Sequence, residues 1–157
     1  MPLFLSTHIN KVDKKGRVSV PSGFRAALSD QSFQGVVLFR SNNFACLEGF
    51  AYSYMEELGE RLDNFDLFSS EQDDLATAIF AEAVQLPLDG DGRIILSPEL
   101  VEFAALNDKA AFVGLGPKFQ IWNPQALDKR RIEARKTVSK SGLTVPKNNK
   151  AKAGAHD

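Results

Sequence analysis

The chain has a single cysteine, two histidines, no long apolar run and a net charge of only −1. Each shortage closes off a class of function. With Cys46 alone, no internal disulfide forms, and a reducing compartment fits best. Its setting in Phe44-Ala45-Cys46-Leu47 marks it as a small buried hydrophobe rather than a reactive thiol. Histidine is confined to His8 and His156, so the raw material for acid–base catalysis is thin. No Gly-x-Ser-x-Gly, phosphate loop or paired-cysteine motif occurs. The acidic pairs Glu56-Glu57 and Asp73-Asp74 lack the further ligands a metal site needs. An enzyme is therefore not expected, nor a cofactor, a metal or a small-molecule substrate. No stretch approaches the ~20 apolar residues of a membrane span. Leu3-Phe4-Leu5 is too short for the apolar core of a signal peptide. The expectation is a cytoplasmic protein with no membrane partner.

What the chain does have is a corner written twice. Asp13-Lys14-Lys15-Gly16-Arg17-Val18-Ser19-Val20-Pro21 returns as Asp89-Gly90-Asp91-Gly92-Arg93-Ile94-Ile95-Leu96-Ser97-Pro98. In both, an Asp stands four residues before an Arg, and Gly directly precedes that Arg. The likeness continues, with Phe24 and Leu28 answering to Leu100 and Ala104, and two apolar hairpins following: Val37-Leu38 with Phe44–Leu47, then Phe112-Val113 with Phe119–Trp122. Self-similarity of this kind fixes architecture before any other signal. Gly16 and Gly92 stand where a tight turn needs positive φ, and Asp13 and Asp89 favour turn initiation. Side chains alternate along a strand, so Val18 and Val20 share one face while Arg17 takes the other. A single such match also describes a plain hairpin turn closed by an Asp–Arg pair; two copies in the same context argue against coincidence. Each copy alone is near the size at which a core is too small. The two are therefore expected to pack together as an intramolecular pseudo-dimer.

Charge is segregated. Residues 1–30 carry Lys11, Lys14, Lys15, Arg17 and Arg25 against Asp13 and Asp30. Residues 48–82 carry ten acids against Arg61 alone, and the last thirty residues are basic again. Such asymmetry matters for partners even when the total is near neutral. The first corner carries net +2 and the second net −1, because Gly90 and Asp91 replace the lysines, and Val101 stands in the place of Arg25.

In order, Leu3 to Val12 reads as a strand, and Pro21-Ser22 opens a short helix with Ser22 placed to cap it. Residues 29–35 read as a loop, and Val36–Phe39 and Phe44–Leu47 as a hairpin around Ser41-Asn42-Asn43. Tyr54, Leu58 and Leu62 recur every four residues in an amphipathic helix over 50–62. Ser69-x-x-Gln72 resembles a capping box, opening a second helix that continues through Leu75, Ile79, Phe80 and Val84. Ser97-Pro98-Glu99 is a strong helix start. Asn123-Pro124 begins a last helix containing Leu127 and Ile132. Beyond Thr137 there is little to bury. The domain plan is repeat one at 3–50, a helical linker at 51–84, repeat two at 85–127, the end of the C-terminal helix at 128–136, and a disordered basic tail at 137–157. The fold class is α+β.

The two corners, with Phe24-Arg25 after the first, resemble the signature of the MraZ family over roughly residues 3–135. These are bacterial transcription regulators built from two swapped-hairpin domains of the type named after SpoVT and AbrB. The resemblance implies a ring-shaped homo-oligomer that binds direct repeats upstream of the division and cell-wall gene cluster, mostly as a repressor, and so a nucleoid-associated protein. It also implies that both Asp/Arg corners lie on the interacting surface. From the residues, double-stranded DNA fits the first corner best. Lys14 and Lys15, with Lys11 and Arg25 nearby, suit phosphates, and Arg17 suits a fork to guanine. Arg93 is expected in a supporting role, with Asp13, Gly16, Asp89 and Gly92 shaping the turns. The alternative is an antitoxin-like interaction module of the same fold, holding a partner through the acidic middle helices.

Overall fold

The computed structural model describes residues 2–147. Along the chain run β1 (Thr7–Lys11), β2 (Arg17–Ser19), α1 (Ser22–Ala27), β3 (Gly35–Arg40), β4 (Leu47–Phe50), α2 (Tyr52–Leu62) and α3 (Ser70–Ile79). There follow β5 (Val84–Pro87), β6 (Arg93–Ile95), α4 (Pro98–Phe103), β7 (Lys109–Gly114), β8 (Phe119–Trp122) and α5 (Pro124–Ser141). Residues up to Pro124 form one compact unit. From Gln125 a second unit begins, described as the remainder of α5 and residues 142–147.

Two antiparallel sheets carry the first unit, one in the order β1-β7-β8-β4-β3-β5 and the other pairing β2 with β6. That order is the signature of exchange between repeats. The β3–β4 hairpin of repeat one is flanked by β5 of repeat two, and the β7–β8 hairpin of repeat two by β1 of repeat one. The hairpins meet where β4 pairs with β8, Leu47 opposite Ile121. The strands leaving the corners pair at the centre, Val18 opposite Ile94. The expected pseudo-dimer is thus present as interleaved strands.

The alternation read from the sequence decides what is buried. Val18, Val20, Ile94 and Leu96 are all at most 1% exposed. They share a core with Phe4, Phe24, Phe112 and Phe119, whose rings meet at centroid distances of 5.0–6.2 Å. Each such side chain contributes roughly 1.5–3 kcal/mol by burial. Strands β3 and β4 are buried on both faces, except Arg40 at the end of β3, and are apolar apart from that residue and Glu48. Val36, Leu38 and Leu47 join the central core, while Val37, Phe39 and Phe50 pack with Met55 of α2.

Several local expectations shift. Helix α1 begins after Pro21 with no side-chain cap, so Ser22 is its first residue rather than its cap. Phe44 to Cys46 precede the second hairpin strand, which runs Leu47–Phe50, so the connection is longer than the Ser41-Asn42-Asn43 turn. Ser69 does accept from the Gln72 amide, but the Gln72 side chain donates to the Leu62 carbonyl instead of reaching back. Val84 lies in strand β5, not in the second linker helix: pairing with Leu38 overrides its helical spacing. Ser97 caps α4 through the Leu100 amide as expected. Helix α5 runs to Ser141, beyond the boundary expected at 136. Of the rest of the expected tail, residues 142–147 carry no helix or strand, and 148–157 lie outside the described residues. Cys46 is buried. His8 is exposed on β1, its ring edge against Phe24 at 5.7 Å.

Candidate nucleic-acid interface

Both corners are built by one aspartate. The Asp13 Oδ1 accepts the backbone N–H groups of Lys15 and Arg17, each at 2.9 Å. Its Oδ2 accepts from Arg17 Nε at 2.6 Å. The Gly16 amide donates to the Asp13 carbonyl, and the Asp13 amide to the Arg17 carbonyl. The second corner repeats the pattern, with Asp89 Oδ1 accepting from Asp91 and Arg93 and its Oδ2 from Arg93 Nε at 3.1 Å. Gly16 and Gly92 have φ of +85° and +74°, which side-chain-bearing residues rarely adopt. Both carboxyls sit below the usual aspartate range, chiefly because a backbone amide (of Arg17 or of Arg93) donates to the ionised form. They stay charged through the neutral range.

This geometry fixes each arginine by its Nε. At the first corner that leaves the guanidinium's outer edge open: among the described residues, neither terminal nitrogen of Arg17 has a hydrogen-bond partner. At the second corner Arg93 also donates through Nη2 to Asp91 Oδ2 at 3.3 Å. The residue that replaces Lys15 therefore engages the fork as well as reversing the charge. Lys14 and Lys15 are exposed beside Arg17. A shallow groove of about 360 Å³ separates them from Val101 and Glu102 of α4.

Two expected members of the cluster lie elsewhere. Lys11 is on β1, where Asn10 donates to the Ser19 carbonyl of β2. Alternation turns Lys11 to the opposite face, directly across from Lys109 of β7. Lys109 was not evident in the sequence, because only the β1–β7 register brings it beside Lys11. Arg25, expected next to the first corner, lies over the second. A Cβ at Gly92 would come within 2.5–2.8 Å of Arg25 Nη1, Cδ and Cζ. The cause is the exchange: the Val20 amide donates to the Gly92 carbonyl and the Leu96 amide to the Gly16 carbonyl, so each repeat's helix starts against the other's corner. Val101 accordingly lines the groove at the first.

No helix among the described residues is long and apolar enough to cross a membrane. Among the described residues no cluster of three or more His, Cys, Asp or Glu is placed to hold a metal ion.

A family model described as "MraZ protein, putative antitoxin-like" matches residues 79–139. The transcriptional regulator MraZ of Gluconacetobacter diazotrophicus is 46% identical over 158 residues, covering 99% of each chain. Those of Rickettsia akari and Rickettsia rickettsii are 42% and 43% identical over 145 residues, covering 92% of this chain and 97% of each relative.

Proposed function

The chain belongs to the MraZ family of transcriptional regulators, and from that premise we propose that it binds double-stranded DNA through its first corner. The target is a set of short direct repeats upstream of its own gene, in the division and cell-wall gene cluster, where it acts as a repressor. The observation that carries this reading is the Arg17 guanidinium, held at Nε by Asp13 and, among the described residues, open at both terminal nitrogens. A planar fork so anchored matches the two acceptors of a guanine edge in the major groove. Lys14 and Lys15 flank it as phosphate ligands, and Lys11 adds charge from the other face of β1. The repeats at 3–50 and 85–127, joined by 51–84, act as one reading head per chain.

One corner is too small for strong binding at physiological salt, so the reading includes a ring-shaped homo-oligomer that presents several corners at once. Supporting this, the unpaired edge of β1 is accompanied by Leu3, Leu5, Ile9 and Leu115, all 44–61% exposed. A strand edge with exposed apolar residues beside it is normally covered. The protein would then be cytoplasmic and nucleoid-associated. Footprinting of the purified protein on DNA upstream of its gene tests the target, and a solution mass measurement tests the ring. Absence of a protected repeat there would remove the proposal.

The antitoxin-like alternative rests on the family model's description and on the acidic helices α2 and α3. Salt separates the two. A DNA reader loses affinity steeply as salt rises, by about 0.9 log units per phosphate per tenfold change. Lys14→Ala and Lys15→Ala are each expected to lower affinity for all duplexes and to flatten that slope by about one unit. An unchanged slope in a titration over salt would refute phosphate contact. Arg93→Ala is expected to weaken binding less than Arg17→Ala, because Asp91 already holds its fork. The reverse ranking in a binding titration would overturn that asymmetry.

A further inference from the structure

Among the described residues, the interleaving leaves each corner with one anchored guanidinium whose outer nitrogens are open, and the two do not come from equivalent residues. At the first it is Arg17, pinned through Nε to Asp13. At the second Arg93 is engaged by both Asp89 and Asp91, but Arg25 lies over Gly92 with its Nε donating to the Val20 carbonyl at 3.1 Å. Arg25 is exposed, and among the described residues its terminal nitrogens have no hydrogen-bond partner. We propose that Arg25, reaching across from repeat one, is the cation through which the second corner holds a DNA phosphate.

Three features support a binding role over a purely packing one. The second corner alone carries Asp89 and Asp91 against Arg93, a balance that repels phosphate; Arg25 brings it to neutrality with one fork open. Gly92, a glycine already for its φ of +74°, leaves room for Arg25, since a Cβ there would meet the Arg25 side chain. The backbone hydrogen bond at Nε fixes the plane of the guanidinium while leaving its charge exposed, an arrangement that presents donors without sequestering them. The repeat-equivalent position at the first corner is Val101, where Lys14 and Lys15 already supply charge. The chain thus has two unlike contacts: a first corner able to read a base edge and a second that grips only the backbone. This distinction rests on the DNA-binding reading and deepens it.

The test compares full-length protein with Arg25→Ala, Arg25→Lys and Arg93→Ala on a duplex carrying the upstream repeats and on a random duplex. For Arg25→Ala, affinity should fall about fivefold per lost phosphate contact near 0.15 M salt, equally on both duplexes, and the salt slope should flatten by about one unit. Arg25→Lys should restore the slope, since charge suffices for a phosphate. Arg93→Ala should change it less than Arg25→Ala. A slope and affinity unchanged in Arg25→Ala, or a loss confined to the repeat duplex, would overturn the inference. A slope lost in Arg25→Ala and not regained in Arg25→Lys would assign Arg25 a packing role and also overturn it. If the unsubstituted protein binds neither duplex, the DNA-binding reading itself fails, which is a separate result.

Discussion

Replacing Arg17 by alanine is expected to abolish protection of the upstream repeats while leaving the mass of the assembly unchanged. A bidentate arginine–guanine contact discriminates by about 1–3 kcal/mol. An oligomer engaging several repeats loses that amount at every corner, so the combined loss removes specific binding altogether. Little else should change. The Arg17 side chain is 38% exposed, and among the described residues its one side-chain partner is Asp13. The aspartate's two backbone hydrogen bonds, to Lys15 and Arg17, remain and keep the turn closed. Weak, salt-sensitive affinity for any duplex should persist through Lys14 and Lys15. Footprinting alongside a mass measurement checks both halves. Retained protection would show that the first corner does not read the target, and a collapsed assembly would show that Arg17 serves the fold.

A large effect on stability is expected away from the corners, at Glu48. This carboxylate is 5% exposed in the middle of β4. Its Oε1 accepts from Lys118 Nζ at 2.9 Å, its Oε2 from the Ser41 hydroxyl at 2.8 Å, and the Gln120 amide donates to both. Trp122 Nε1 in turn donates to Gln120 Oε1. Glu48 and Gln120 face each other across the β4–β8 seam, the joint between the hairpins of the two repeats. Glu48→Ala leaves Gln120 and Ser41 with buried donors and no acceptor. Lys118, only about one-third exposed, loses its counter-charge. Breaking a buried network from one side costs about 3 kcal/mol, which in a domain of this size lowers the melting temperature by about 6–12 °C. Thermal unfolding of the variant checks this. A melting temperature within a degree or two of the parent would mean that the network is solvated and adds little.

Much of the fold is legible because its signals are local. Positive-φ glycines, the alternation of Val18 with Val20 and of Ile94 with Leu96, and the Ser97-Pro98 helix start each depend on neighbours a few residues away. The failures have separate physical causes. Val84 carries a helical spacing, but an open position beside Leu38 draws it into a strand. Ser22 has a capping side chain, yet the helix has already begun there, with Pro21 as the flanking residue. Tertiary pairing outweighs weak local preference at Val84, whereas at Ser22 the neighbouring Pro21 takes the flanking position. The candidate site divides in the same way. Asp13, Gly16 and Arg17 belong to one turn and can be read together. Arg25 cannot be placed by reading, because its neighbour is Gly92 of the other repeat, and Lys109 finds Lys11 only through strand register.

Sequence alone determined that this protein is one unit written twice, α+β, with an Asp–Arg corner in each copy and the basic residues concentrated at the first. Those properties follow from turn chemistry and strand periodicity, which act over a handful of residues. Only the tertiary structure decided which helix meets which corner. Strand exchange sets each repeat's helix against the other's turn, and no local pattern encodes that crossing. It also decided that Arg17 keeps an open fork while Asp91 holds that of Arg93, since hydrogen-bond occupancy depends on atoms brought together in space.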